Sequence, residues 1–311
     1  VKILVTGGAG YIGSVLTQYL LARGWSVTVL DNFSHGVPSL AHIAQDRNLR
    51  IVRGDARDKA LMREELRKHD VLIPLAAVVG APACRADPMG ATTTNLDAIE
   101  MAVGLMSPEQ WVVYPNTNSG YGTTAPGVVC DETTPLVPIS LYGKLKCAAE
   151  VHVVMARENS ITLRLATVFG WSPRMRLDLM VNDFTYRAVT DRTLVLFEGG
   201  FRRNFVHVRD VARAFVWALS KRPYPAGHVF NVGDDAANMT KAELCARISR
   251  VTDFRWIEHP SYQDPDKRDY VVSTAKITAM GWKPTHDFDE GIAELVQGYA
   301  MLGGSGGLRN A

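Results

Sequence analysis

Cysteine is scarce in this sequence of 311 residues. The four that occur, Cys84, Cys130, Cys147 and Cys245, are widely scattered and form no zinc-binding spacing. No metal site is therefore expected, and with no export signal in view the thiols are expected to be reduced. Long apolar runs are also missing: none approaches the ~20 residues that span a bilayer, so no membrane partner is expected. An apolar strand begins at Lys2, leaving no room for a signal peptide, and a cytoplasmic location is expected. Charge of one sign is missing too. The 34 basic residues nearly balance the 32 acidic ones, for a net charge of +2, which excludes a dominant nucleic-acid surface or an acidic tail. There is no internal repeat and no long linker. Low complexity is confined to Gly303-Gly304-Ser305-Gly306-Gly307, so residues 303–311 are expected to form a flexible tail. What remains is a chain that is 47% hydrophobic, enough for a sizeable core in one large domain or two smaller ones.

What is present begins at the first residues. The apolar run Lys2-Ile3-Leu4-Val5 meets Thr6-Gly7-Gly8-Ala9-Gly10-Tyr11-Ile12-Gly13. An amphipathic stretch follows to Gly24, then a second apolar run, Val27-Thr28-Val29-Leu30, ending on Asp31. This is strand, glycine turn, helix, strand, acid: the context that a dinucleotide-binding glycine pattern requires. Gly7 permits the tight turn, Gly10 lets the backbone approach a pyrophosphate, and Gly13 lets the helix pack close to the sheet. The helix N-terminus offers free N–H groups and a positive dipole to phosphates. Asp31 stands 18 residues after Gly13, where a carboxylate accepts hydrogen bonds from an adenosine ribose and repels a 2′-phosphate. The expected cofactor is NAD rather than NADP.

Strand signals at Lys2–Thr6, Ser26–Leu30, residues 50–52, Val71–Pro74, residues 111–114 and residues 161–165 alternate with helical stretches near residues 12–23, 59–68, 91–106 and 141–157. Such alternation predicts an α/β fold with a doubly wound parallel (Rossmann) sheet. Its ligands are expected beyond the carboxyl ends of the strands, where loops 7–10, 31–36, 54–57, 76–88 and 116–122 should converge. After about Gly170 the pattern loosens into short mixed elements, and a last helix is expected from Asp289 to Ala300. The expected organisation is an NAD-binding domain over residues 1–170, to which some later segments return, and a smaller mixed α/β substrate lobe over 171–302.

Tyr142-Gly143-Lys144-Leu145-Lys146 places Tyr142 and Lys146 four apart in a helical stretch, on one face. An ammonium beside a phenol favours the phenolate, so the tyrosine pKa is expected to fall and the phenol to accept a proton from a sugar hydroxyl near neutral pH. Alone, the pair is also what a surface tyrosine lying along a lysine stem looks like. It follows the loop Asn116-Thr117-Asn118-Ser119-Gly120-Tyr121-Gly122, which leaves a strand and should face the cofactor.

With these residues in view, the chain resembles the extended short-chain dehydrogenase/reductase family, in particular its NAD-dependent nucleotide-sugar epimerases and dehydratases, from Lys2 to about Tyr299. The opening Thr6 to Gly13 is close to the family signature, and Asp31-Asn32-Phe33 resembles its ribose-binding turn. Gly54-Asp55-Ala56-Arg57-Asp58 resembles the adenine-contacting segment, and Leu75-Ala76-Ala77 the loop beneath the cofactor. Asn95 matches a family asparagine in the following helix. The resemblance thus implies Gly7, Gly10, Tyr11, Ile12, Asp31, Asn32, Asp55, Ala56, Leu75, Ala76, Ala77, Asn95, Tyr142 and Lys146 as cofactor contacts, with Tyr142 and Lys146 as the catalytic pair. Thr117, four residues before Tyr121-Gly122, matches the catalytic hydroxyl. Arg203-Asn204-Phe205 with Val208 and Asp210-Val211-Ala212 resembles the segment whose arginine contacts the nucleotide diphosphate, which implies that role for Arg203, although Asn204 departs from the usual Asp. Arg268, in Asp266-Lys267-Arg268-Asp269, resembles a second such arginine. The implied partner is a nucleotide-diphosphate sugar, and a homodimer formed through the helices near 91–106 and 141–157 is expected.

Two departures narrow the activity. Family dehydratases carry Asp-Glu directly after the catalytic Thr, and this chain has Asn118-Ser119, neither of which supplies a carboxyl acid or carboxylate base. The usual Asn after the sixth strand is also absent. Thr167 stands near its place, and Arg174 and Arg176 follow, to contact the phosphates or the sugar. The substrate contacts expected are thus Thr117, Asn118, Thr167, Arg174, Arg176, Arg203 and Arg268. The expected activity is NAD-dependent oxidation at the 4-hydroxyl of a nucleotide-linked sugar, leading to 4-epimerisation. The alternatives are a 4-dehydrogenase that releases the ketosugar, a 3,5-epimerase that uses a thiolate at Cys84, and a non-catalytic NAD sensor.

Overall fold

A computed structural model describes residues 1–125, 127–221, 228–259 and 268–302. The expected flexible tail, and Asp266 and Lys267 of the second arginine motif, lie outside the described residues. The chain begins β1 (Lys2–Thr6), α1 (Tyr11–Leu21), β2 (Ser26–Asp31), β3 (Leu49–Arg53), α2 (Lys59–Leu66), β4 (Val71–Pro74), α3 (Ala81–Ala86), α4 (Pro88–Thr92), α5 (Ala98–Leu105), β5 (Trp111–Thr117), β6 (Val129–Cys130), α6 (Leu141–Ala156) and β7 (Ser160–Leu165). It continues β8 (Thr167–Phe169), α7 (Met180–Thr190), β9 (Thr193–Leu196), β10 (Arg202–His207), α8 (Val208–Ser220), β11 (His228–Val232), β12 (Asn238–Thr240), α9 (Lys241–Ile248), β13 (Arg255–Glu258), β14 (Val271–Val272), α10 (Ala275–Ala279) and α11 (Phe288–Tyr299).

Seven strands make one sheet in the order β11-β7-β5-β4-β1-β2-β3, and every neighbouring pair is parallel. The strands read as near-continuous apolar runs because both faces are covered. Alternate side chains of β1 show this. Ile3 and Val5 pack with Leu16 and Leu20 of α1 and with Val211 and Phe215 of α8. Leu4 packs the other way, with Met62 of α2, Ile99 and Val103 of α5, and Ala149 and Val153 of α6. This is the expected Rossmann architecture. The strand order reverses between β1 and β4, which opens a crevice at their carboxyl ends. Smaller sheets, β12-β10-β8, β13-β9 and β14-β6, stand around that end.

The helix expected over 91–106 is present as a run from Pro88 to Leu105 with one irregular turn in it. Thr93–Asp97 form a π-helical turn between α4 and α5, a wider turn of the kind found where a side chain must be re-aimed. Among the described residues no helix is long and apolar enough to cross a membrane.

Candidate active site

At the crevice lies a cleft of about 1090 Å³ that takes lining residues from all five loops expected to converge there. Of the residues expected at the site, Gly7, Gly10, Tyr11, Ile12, Asp31, Asn32, Asp55, Ala56, Leu75, Ala76, Ala77, Thr117, Tyr142, Lys146, Thr167, Arg174, Arg176, Arg203 and Arg268 line it. Asn95 and Asn118 are buried and are not among its lining residues.

The glycine turn is built by close approach. Gly7 has φ +70°, and a Cβ there would stand 2.5 Å from the backbone nitrogen of Ala76. A side chain at position 7 would therefore force β1's turn away from the loop after β4. The first amides of α1, which have no partner within the helix, open toward the crevice. Each carboxylate oxygen of Asp31 accepts one backbone N–H, from Ala9 at 2.9 Å and from Phe33 at 2.8 Å. These bonds fix the carboxylate at the end of β2 and leave lone pairs for ribose hydroxyls. The Tyr11 hydroxyl turns away from this work. It donates to the Gly170 carbonyl at 2.7 Å and accepts from Asn182, tying α1 to the second half of the chain. Asp55 is held in a two-pronged pair by Arg57, which lowers its pKa.

Asn95 bonds to the protein's own backbone. From the π-helical turn its amide accepts from the Val78 N–H and donates to the Val78 carbonyl, both at 2.8 Å. It shapes the loop after β4 from behind. Cys84 is fully buried, donates to the Val78 carbonyl, and is absent from the cleft lining. Burial raises its pKa, so the thiolate that a 3,5-epimerase would need is disfavoured.

Helix α6 starts where Ser140 accepts the Gly143 N–H at 3.1 Å, and this cap brings Tyr142 and Lys146 to the cleft on successive turns. Their electrostatics differ from the sequence expectation. Burial pushes the Tyr142 phenol up to about 12. The cations that chiefly oppose this are Arg176 and Arg268. Lys146 is 4% exposed, and its ammonium lies over the Tyr114 ring, 4.3 Å from the centroid. Burial there pushes its own pKa down to about 7, against the pull of Glu150. Helical spacing does put the two residues on one face, but the lysine is aimed at β5 and loses much of its charge to desolvation.

Thr117 ends β5 and begins a chain of hydroxyls. Its Oγ1 accepts the Ser119 N–H at 3.1 Å and donates to Ser119 Oγ at 3.0 Å. The Arg268 guanidinium also donates to Ser119 Oγ. Asn118 is fully buried, with neither amide atom hydrogen-bonded among the described residues, and it is not among the residues that line the cleft. Beneath the loop lies a network the sequence reading missed. Arg164 of β7 pairs with Glu150 at 2.6 Å, Asn116 also donates to Glu150, and Arg164 donates to the Tyr121 hydroxyl at 3.1 Å. Its signal was available: Glu150 stands four residues beyond Lys146, on the same helical face. Lys241, at the start of α9, also lines the cleft and was missed.

Thr167, the first residue of β8, lines the cleft just beyond the end of β7, and Arg174 and Arg176 follow it there, 1% and 9% exposed. Arg203 is buried on β10 with its guanidinium 5.6 Å from the Tyr270 ring centroid.

A parallel sheet with a glycine turn, a ribose-directed acid and a tyrosine–lysine pair in one crevice defines a nucleotide-dependent enzyme of the Rossmann class. The pattern of the NAD dependent epimerase/dehydratase family matches residues 3–233, and the chain belongs to that family, whose cofactor is NAD. The turn that only glycine fits, the open amides of α1 and the fixed Asp31 carboxylate suit that cofactor. Relatives fall on both sides of the family name. A dTDP-glucose 4,6-dehydratase of Streptomyces niveus is 29% identical, over 96% of this chain and 92% of its own. A UDP-glucose 4-epimerase of Mycolicibacterium smegmatis is 30% identical, over 95% of this chain and 97% of its own. The solved UDP-glucose 4-epimerase of Thermus thermophilus, in complex with NAD, superposes with a TM-score of 0.83 at 27% identity, covering 97% of this chain and 99% of that one. The chain is thus an enzyme of the nucleotide-sugar epimerase or dehydratase type.

Proposed function

We propose that this enzyme oxidises the 4-hydroxyl of a nucleotide-linked sugar and completes a 4-epimerisation. The observation that carries the reading is the composition of the loop beside Tyr142. It offers the hydroxyls of Thr117 and Ser119, and no carboxyl group at the positions where elimination of water needs one. Thr117 Oγ1, with one lone pair left after its bonds to Ser119, accepts the hydrogen bond that orients the sugar hydroxyl. Tyr142 takes the hydroxyl proton in the forward step and gives it back after the ketosugar has turned over. Arg176 and Arg268 supply the positive field that makes its ionised form accessible. NAD, when bound, supplies the hydride acceptor at carbon 4 and the donor to the opposite face. Arg203 and Arg268 hold the diphosphate, and residues 171–302, apart from α8 and β11 on the main sheet, form the substrate side. A panel of UDP-, dTDP-, GDP- and CDP-hexoses, with products identified by NMR, tests this. A 4-epimer with no build-up of NADH absorbance is expected. A 4-keto-6-deoxy sugar at turnover rates would show that another residue supplies the missing acid and base.

We further propose that two copies pair through α5 and α6. Ala148, Val151 and Met155 form an exposed apolar stripe along α6, and the His152–Glu100 contact joins it to α5. Sedimentation equilibrium is expected to show a dimer that Val151→Glu together with Met155→Glu splits into monomers. A wild-type monomer at micromolar concentration would sink the idea.

A further inference from the structure

We infer that Asn182 is a positioning residue: its side-chain amide pins both ends of the loop 170–176 to the first turn of α1, and so sets where Arg176 stands in the cleft. The inference deepens the proposed function and rests on its reading of Tyr142 as proton acceptor, with Arg176 among the cations that act on it. Residues 170–179 join β8 to α7 and belong to no helix or strand. Ser172, Arg174, Met175, Arg176 and Leu177 are nevertheless buried. A buried loop has no ladder to fix it and little water to satisfy its backbone, so side chains must do both.

Asn182, fully buried in the first turn of α7, does this at the loop's two ends. Its Oδ1 accepts the Gly170 N–H at 3.1 Å. Its Nδ2 donates to the Arg176 carbonyl at 2.9 Å and to the Tyr11 hydroxyl at 3.2 Å. Tyr11 in turn donates to the Gly170 carbonyl at 2.7 Å. An N–H can only donate and a carbonyl can only accept, so these partners fix which way the amide faces. An ionised carboxylate lacks the donors, and an aliphatic side chain lacks both functions. The Tyr299 hydroxyl of α11 holds the residue itself, donating to the Asn182 carbonyl at 2.8 Å. Ser172 ties the middle of the loop to the same turn of α1, donating to the Tyr11 carbonyl at 2.7 Å with Ser14 Oγ 3.0 Å away. What hangs on this frame is Arg176. Its guanidinium pairs with Asp178 two residues on, and its carbonyl is held by Asn182, so both its ends are fixed locally. It lines the cleft with Tyr142, where Arg268 adds a share of the positive field. Loss of Asn182 should therefore slow the reaction without abolishing it.

The test is a double-mutant cycle of Asn182→Ala and Arg176→Met, on NAD-saturated protein checked for fold by circular dichroism, with the substrate found by product NMR. Asn182→Ala is expected to lower kcat/KM about 10- to 100-fold, the scale for moving a group in a site by about an ångström. In the Arg176→Met background the same substitution should cost no more than about twofold, because the group it positions is gone. A residue that only stabilised the fold would give losses that multiply. Multiplying losses, or near-wild-type kcat/KM in Asn182→Ala, overturn the inference. Should Asn182→Ala not fold, Tyr11→Phe carries the test, since it removes one rung of the frame and keeps the ring. Its expected loss is about 3- to 10-fold, that of one hydrogen bond, and should again vanish in the Arg176→Met background. No loss, or a loss that persists in that background, overturns the inference. Product identity keeps the two proposals apart. A product other than the 4-epimer sinks the epimerase reading, while the cycle is read on whatever turnover is found. Arg176→Met at the wild-type rate would take Arg176 out of the mechanism and the inference with it.

Discussion

Tyr142→Phe is expected to lower turnover of the identified nucleotide sugar by about 10²- to 10⁴-fold, the usual contribution of general acid–base catalysis. The variant keeps the ring that packs in the cleft, and the glycine turn and Asp31 that suit the cofactor lie on other elements, so fold and NAD content should survive. The effect has a pH signature. A phenol accepts a proton only when ionised, and burial sets this one at about 12, so the fraction ready to act grows as pH rises from neutrality. Wild-type kcat/KM is therefore expected to climb with pH above 7, and Tyr142→Phe should lose the climb along with the rate. Steady-state kinetics from pH 6 to 10 on protein shown to be folded and NAD-bound decides the matter. Near-wild-type turnover by that variant would mean that another group takes the proton.

The second large effect concerns stability. Arg164→Met is expected to destabilise the protein by about 3–5 kcal/mol, because it strands the Glu150 carboxylate in the interior. Glu150 and Arg164 have side chains only 5% and 7% exposed, and the pair joins α6 to β7 directly beneath the catalytic loop. Replacing both partners, as Arg164→Met with Glu150→Met, removes the stranded charge, so the double variant should be more stable than Arg164→Met alone. Urea unfolding of the single and double variants measures this. A single-variant loss under about 1 kcal/mol, or strict additivity, would show that Glu150 finds water or another partner.

The sheet was readable because each central strand is an apolar run bounded by turn residues, and Lys2–Thr6 and Val71–Pro74 fall where periodicity puts them. The helix over 91–106 was readable too, but not its π turn at Thr93–Asp97, because one-turn π geometry leaves no mark on a window of apolar spacing. At the site, residues that act through backbone shape were legible: Gly7 needs positive φ, and Asp31 must end a strand. Residues whose role depends on where a long side chain ends were not. Lys146 shares a face with Tyr142 yet points to Tyr114. Asn95 and Asn118 sit in motif positions but are not among the residues that line the cleft. Arg268 finds Ser119 across 149 residues, a pairing that local pattern cannot contain.

That last contact sets an order in time. A growing chain lays down the turn at Gly7 and the acid at Asp31 first, then Tyr142 and Lys146, and only near its end the guanidinium that polarises Ser119. The edge strand β11 also arrives late, long after the strands it completes. The half of the crevice that recognises what all family members share is thus finished early. On the proposed reading, the half that meets the sugar is finished last, and damage near the carboxyl end is expected to fall on selectivity before it falls on the cofactor.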